Sequence, residues 1–200
     1  MPITLNGNGT ITGISTGGIS DTKAVAVAAQ PVGSIIQVQN TNVTAPSTIS
    51  LTNHSTLYDT PLTVNITSTR ANSKFSIQGL FCGEGTQPYH DYAVILRRVI
   101  GGSGTSISIG DSGAGERVTR TLGVGYFNND QDSTTSATAV PAYVDSPAQA
   151  SGTTITYKIA IMEIGTNNNT TFYVNRPVNA SSGGGYERPA SYITVMEIAV

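Results

Sequence analysis

Residues 192–200 constrain this chain more than any other stretch. Tyr192, Ile193, Thr194, Val195, Met196, Glu197, Ile198, Ala199 and Val200 carry a period-two pattern almost to the last position. A similar stretch comes earlier, where Tyr157, Lys158, Ile159, Ala160, Ile161, Met162, Glu163 and Ile164 follow one another. Alternation of this kind, rich in β-branched and aromatic side chains, specifies half-buried strands. A strand with no tail after it frays unless neighbours hold it, so 192–200 is expected in the centre of a sheet. The two stretches differ in register, since Tyr157 lies one residue further from its Met than Tyr192 does. They read as two neighbouring strands in similar surroundings rather than as a repeat array.

The composition agrees with an all-β body. Charged residues make up 11% of the 200, well below the roughly 25% of an ordinary soluble domain. Ser, Thr, Asn and 22 Gly take their place, which favours strands and turns over helices. Two hundred residues can bury a core without disulfides or metal. Cys82 is the single cysteine, which excludes an internal disulfide and a cysteine-based zinc site. Between Phe81 and Gly83 it reads as a small buried apolar group. A net charge of −2 argues against nucleic acid as a partner, which needs a basic face. No apolar run is long enough for a membrane span and no basic-then-apolar leader opens the chain, so manufacture in a cytoplasm without membrane insertion is expected.

Residues 1–33 stand apart. Ile3 to Leu5, the Asn6-Gly7 pair and Gly9 to Ile14 read as a small hairpin. Residues 23–29 fit a short helix or a strand, stopped by Pro31 and Gly33. The segment is too small and glycine-rich for its own core, so it is expected to be an attachment arm. Residues 34–200 form the body, with strands expected at 34–39, 48–51, 62–67, 74–82, 92–100, 106–109, 118–126, 153–163, 170–174 and 192–200. Many short strands without an intervening helix point to an antiparallel β-sandwich or jelly roll. Polar loops at 128–136, 167–169 and 180–186 belong at its ends, where recognition is commonly carried.

Chemistry-bearing constellations are scarce. His90 beside Asp91 lacks a serine in a nucleophile elbow, and His54 and His90 lack metal-ligand spacing. Of the carboxylates, Glu163 and Glu197 alone have apolar strand neighbours, and they are expected to face outward or to pair at an interface. The glycines at 101–104 read as a hairpin turn, because a phosphate loop needs a Lys and a following helix. Asn128, Asn129, Asp130, Gln131 and Asp132 lack the glycine and closing Glu of a calcium loop. Arg97 and Arg98 point to opposite faces of their strand, one of them pairing with Asp111 or Glu116. No catalytic residue, metal ligand or cofactor is therefore expected.

From Tyr58 onward the chain resembles a domain of tail-fibre and other virion structural proteins of tailed bacteriophages. The resemblance rests on ordered segments covering roughly two-thirds of the chain. They begin with Tyr58, Asp59, Thr60 and Leu62, then Leu96-Arg97, Gly110-Asp111 and Gly115 with Arg117. Asp145-Ser146-Pro147, Tyr157-Lys158, Val174-Asn175-Arg176 and the 191–199 ending complete the series. It implies a homotrimeric sandwich similar to the C1q and tumour-necrosis-factor jelly rolls, with no catalytic residues to carry over. On that footing the chain is expected in a virion, with other tail or capsid proteins as partners. Its loops would meet a host-surface glycan or protein through Tyr126, Asn128, Asp130, Tyr143, Tyr173 and Tyr186. Tyr157, Ile159, Ile161, Tyr192 and Val195 are expected on the wall between subunits. A capsid-cement role is the alternative, and a polysaccharide hydrolase the third.

Overall fold

The computed structural model describes residues 4–5, 11–12, 30–86, 92–107, 135–164, 169–179 and 187–200. Among them the chain is all-β and every strand pairing is antiparallel. Two minimal strands, β1 (Thr4–Leu5) and β2 (Ile11–Thr12), pair with each other. The body is a sandwich of two sheets. One has four strands in the order β5 (Tyr58–Thr67), β10 (Thr154–Glu163), β7 (Tyr92–Ile100), β8 (Ser103–Ser106). The other has six: β3 (Ile35–Val43), β4 (Ser47–Leu51), β6 (Lys74–Gly85), β9 (Ser136–Asp145), β11 (Thr170–Val174) and β12 (Ser191–Ile198).

The six-stranded sheet is effectively four strands wide. On one side of β6, residues 74–80 pair with β12 and residues 83–85 pair with β11, so β12 and β11 lie end to end. β3 and β4 line the outer side of that pair in the same succession, and β9 takes the opposite side of β6. β12 thus has neighbours on both sides, as its alternation requires. The similar β10 is not its neighbour, because it lies in the other sheet. Their likeness comes from performing the same task, one inward apolar row each.

The inward rows of both sheets meet in one core. Leu62, Val64 and Ile66 of β5, Phe75, Ile77 and Phe81 of β6, and Ile155, Tyr157, Ile159 and Ile161 of β10 are among its members. Phe172 stacks on Phe81 at 5.6 Å between centroids and meets Tyr92 edge-on at 5.5 Å, both favourable aromatic geometries. Gly85 is required here, since a Cβ would stand 2.1 Å from the Tyr92 ring. A second cluster of Ala93, Ile95, Met162 and Ile164, with Leu57 against it, occupies the other face of β7 and β10. Those strands are consequently buried on both faces along that part of their length.

Two strand boundaries show where side-chain pattern misleads. β5 begins before Pro61, which an edge strand tolerates because one side needs no N–H donor. β9 carries Pro141 and several alanines, weak strand formers, and so escapes notice in the sequence. The strand expected at 118–126 lies outside the described residues.

Candidate functional site

Three buried polar clusters carry titratable or nucleophilic groups, and the hydrogen bonds of each hold the fold. Asp145, 4% exposed at the end of β9, accepts from Arg98 Nη1 at 2.7 and 2.9 Å and from the Tyr157 hydroxyl at 2.8 Å. Asp145 belongs to the six-stranded sheet, and both donors belong to the four-stranded one. The cluster therefore ties the sheets together. Burial, and then the Asp145 charge, push the Tyr157 hydroxyl far above the ordinary tyrosine range, so it serves as a donor throughout the physiological span.

The second cluster lies where β6 changes partner from β12 to β11. Asn175, held at φ +56°, donates from Nδ2 to the Val43 carbonyl at 2.7 Å and accepts at Oδ1 from the Ser191 hydroxyl at 2.6 Å. Ser191 Oγ accepts in turn from the Cys82 N–H at 2.9 Å, and the Cys82 carbonyl accepts from the Asn175 N–H at 3.0 Å. The Cys82 N–H and carbonyl, which face the switch, thereby both find partners. Ser191 is fully buried and Cys82 is 3% exposed. Burial, with Glu187 second, pushes the Cys82 thiol up, which suits the inert role read from its neighbours.

Glu197 makes the third. Its carboxylate accepts from Thr69 N–H at 2.8 Å, Thr69 Oγ1 at 2.8 Å and Arg70 N–H at 3.2 Å, and so fixes the turn after β5. Glu163 and Glu197 are both 0% exposed. The expectation that they face outward fails because each sits on the inward row of its strand, with Ile161 and Val195 respectively as row neighbours. Arg97 and Arg98 do point to opposite faces, where they bind Asp59 and Asp145 respectively; Asp111 and Glu116 lie outside the described residues. Among the described residues no three His, Cys, Asp or Glu side chains are grouped to hold a metal ion.

What remains is surface, and the two outward faces differ. On the four-stranded sheet, Asp59 of β5 binds Arg97 of β7 at 3.1 Å and Lys158 of β10 at 2.7 Å. Thr156 donates to Asn65 at 2.7 Å beside them. Charged and polar side chains there pair with one another. On the six-stranded sheet, Val38, Met196, Ser76 and Val144 stand opposite one another in a row across four strands. Ile35 and Ile198 form the next pair, with Lys74 beside Ile198, and Tyr192 neighbours Leu80. Val38 is 54% exposed, Val144 50% and Tyr192 42%. Val32 and Val200, also exposed, sit where the Gly33 N–H meets the Ala199 carbonyl at the corner of this face. All the large apolar side chains exposed among the described residues are thus on or beside one face, whose outward rows carry the charges Lys74 and Glu84, the latter buried and accepting from the Val178 N–H. Ser76 interrupts the row, and Asn40, Thr194 and Gln78 lie between it and Tyr192; exposed apolar side chains gathered on one face mark a contact surface.

The residues expected to recognise a partner fare unequally. Tyr126, Asn128, Asp130 and Tyr186 lie outside the described residues. Tyr143 is half-buried on β9 and packs against the core. Tyr173, half-buried on β11, carries the Arg176 guanidinium 4.1 Å from its ring centroid. Of the expected subunit wall, Tyr157, Ile159, Ile161 and Val195 have no exposed surface to offer a second chain. Their alternation signals the core of one chain, and Tyr192 alone of the five retains outward surface. The apolar row through Val38, Met196 and Val144 was missed. A readable sign of it existed: both the odd and the even positions of 192–200 are apolar-rich, which means both faces of that strand seek cover.

No protein-family model matches the chain, and no curated protein matches it. Among solved structures it is similar to a chain in the structure of infectious bursal disease virus Gx strain, at 14% identity over 82% of this chain and 37% of that one, with a TM-score of 0.38. The Gt strain structure gives 14% identity, 84% and 38% coverage and a TM-score of 0.34. The crystal structure of the VP2 subviral particle of infectious bursal disease virus gives 12% identity, 84% and 39% coverage and a TM-score of 0.38. The chain spans about two fifths of the length of the solved chains it resembles.

Proposed function

We propose that this is a non-enzymatic structural protein of a bacteriophage virion, of the tail-fibre or receptor-binding type. Residues 1–33 dock it on the particle, and a homotrimeric sandwich presents its end loops to a host-surface glycan or protein. The observation that carries the reading is the outward face of the six-stranded sheet. An apolar, nearly uncharged sheet face on a low-charge sandwich is built to be covered by protein. Val38, Met196, Val144 and Tyr192 on that face replace the β10 residues as the trimer wall. The ordered segments that resemble phage tail-fibre domains support the same reading. So does the use of the buried Asp145, Asn175 and Glu197 for structural bonds rather than for chemistry.

The alternative is a cement protein that clamps neighbouring capsid subunits through the same face. Antibody labelling of intact particles, viewed by electron microscopy, separates the two. Label on the tail supports adhesion. Label at regularly spaced shell sites replaces it with cement, and particles without label overturn the virion reading altogether. Depolymerisation of host polysaccharide by the purified protein would install the hydrolase in its place.

A further inference from the structure

Sheet edges are hazardous because their unpaired backbone groups recruit other strands, and proteins blunt them with proline, charge, bulges or brevity. Among the described residues, five strands of this sandwich have a strand partner on one side only: β3, β4, β5, β8 and β9. Four are blunted. β5 carries Asp59 and Pro61, and β9 carries Pro141 and a register shift opposite residues 77–79. β4 has five residues and β8 has four.

β3 is the exception. It runs nine residues, Ile35–Val43, with neither proline nor charge, and its one irregularity falls at its start, opposite Glu197 and Ile198. None of the nine is buried, although β12 beside it buries every second residue. The inward row is only partly covered: Gln39 is exposed, Gln37, Thr41 and Val43 are half-buried, and Val43 packs against the core. Among the described residues β3 thus has no strand on its free side and only partial cover for its inward row. We propose that β3 pairs with β3 of a second copy, antiparallel about Gln39, joining two six-stranded sheets into one.

Self-pairing is the arrangement the strand's own sequence fits. Antiparallel alignment centred on Gln39 keeps all nine residues paired and sets Val38 opposite Asn40, Gln37 opposite Thr41 and Gln39 opposite its own copy. No charge meets a like charge, and the contact is closed by a two-fold axis. The alignment places Asn40 of the second copy at the end of the Val38 and Met196 row, with that copy's Val38 in the diagonal position. The pairing is distinct from the trimer wall above and does not rest on the virion reading.

The test uses the full chain and its mass in solution at tens of micromolar. Dimers, or even multiples of a larger unit, are expected. Gln39→Lys places two ammonium groups opposite each other and should weaken pairing by about tenfold or more, with an unchanged melting temperature for the single chain. Mixing Gln39→Lys with Gln39→Glu chains should restore the dimer, and Gln39→Cys should form a disulfide-linked dimer under mild oxidation while Cys82 stays buried. A strictly monomeric wild-type chain, or a mass unmoved by Gln39→Lys, overturns the proposal. A mass that falls with Val144→Lys but not with Gln39→Lys assigns association to the face instead, overturning the edge pairing while leaving the trimer reading intact.

Discussion

The two outward faces of this sandwich are made by the same backbone geometry and end in opposite conditions. On the four-stranded sheet Asp59 receives both Arg97 and Lys158, and further along the same strands the second apolar cluster is already buried. On the six-stranded sheet the apolar row stays exposed with Lys74 as an outward charge. One face pairs its polar groups within a single chain, and the other leaves apolar side chains exposed. The difference teaches where association is to be sought, and it can be broken or sharpened by substitution.

The comparison presumes that the sheets are fixed to each other, which makes the Asp145 cluster the place of largest effect. Asp145→Ala leaves the part-buried Arg98 and the buried Tyr157 hydroxyl without their acceptor and should cost about 3–5 kcal/mol, toward the lower end because Arg98 keeps some solvent. Thermal unfolding would register it as a drop of roughly 10 °C for a chain of this size. A loss below about 1 kcal/mol would mean that the core alone fixes the sheets. Next comes Asn175→Ala, expected to cost about 2–3 kcal/mol from lost buried hydrogen bonds and a left-handed backbone that alanine dislikes. Asn175→Gly keeps the backbone freedom and should recover about 1 kcal/mol of that, which separates the two causes.

Alkali gives a smaller and signed effect on the same junction. The Tyr157 hydroxyl has a raised proton affinity in the folded chain, so above pH 10 the unfolded chain releases a proton that the folded chain keeps. Fewer protons on the unfolded state mean stability falls as pH rises, by up to about 1.4 kcal/mol per pH unit from this group. The contribution is fully present below pH 10 and is lost progressively above it. Denaturant midpoints measured from pH 9 to 11 should show the decline in the wild type and a shallower one in Tyr157→Phe. Equal slopes would show that other tyrosines set the alkaline limit.

Much of the fold was legible because period-two alternation reports burial, and burial is what the sandwich is made of. β7 and β11 match their expected spans to the residue, 92–100 and 170–174. β9 was illegible because Ala137, Ala139 and Pro141 carry no strand signal of their own, and pairing with β6 supplies it. Alternation also fails to say which buried row faces which partner, so Tyr157 and Ile159 were read as a wall between chains when they fill one chain's core. Glu197 misled for a related reason. An acid among apolar neighbours reads as outward, whereas here it is satisfied by the Thr69 and Arg70 backbone, more than a hundred positions away in sequence. Asn175 stood in a recognisable motif, but its duty at a strand switch exists only once β11 and β12 share β6.

The smallest expected effects bear most directly on the two faces. Asp59→Ala leaves Arg97 and Lys158 without their shared carboxylate on a partly exposed surface, and such pairs are worth about 0–1 kcal/mol each because water competes for them. The melting temperature should fall by no more than a few degrees, less so in high salt, and the mass in solution should not change. Val144→Lys sits on an exposed position of β9 and should alter the stability of the single chain by about 0.5 kcal/mol or less. Its mark should appear in association, because an ammonium group on an apolar contact must be desolvated when the face is covered. The pair of substitutions thus reads stability on one face and assembly on the other. If Asp59→Ala disperses the assembly while Val144→Lys leaves it whole, the faces have been assigned the wrong way round. The exposed apolar row would then be the ordinary surface of a sandwich that associates through its charges.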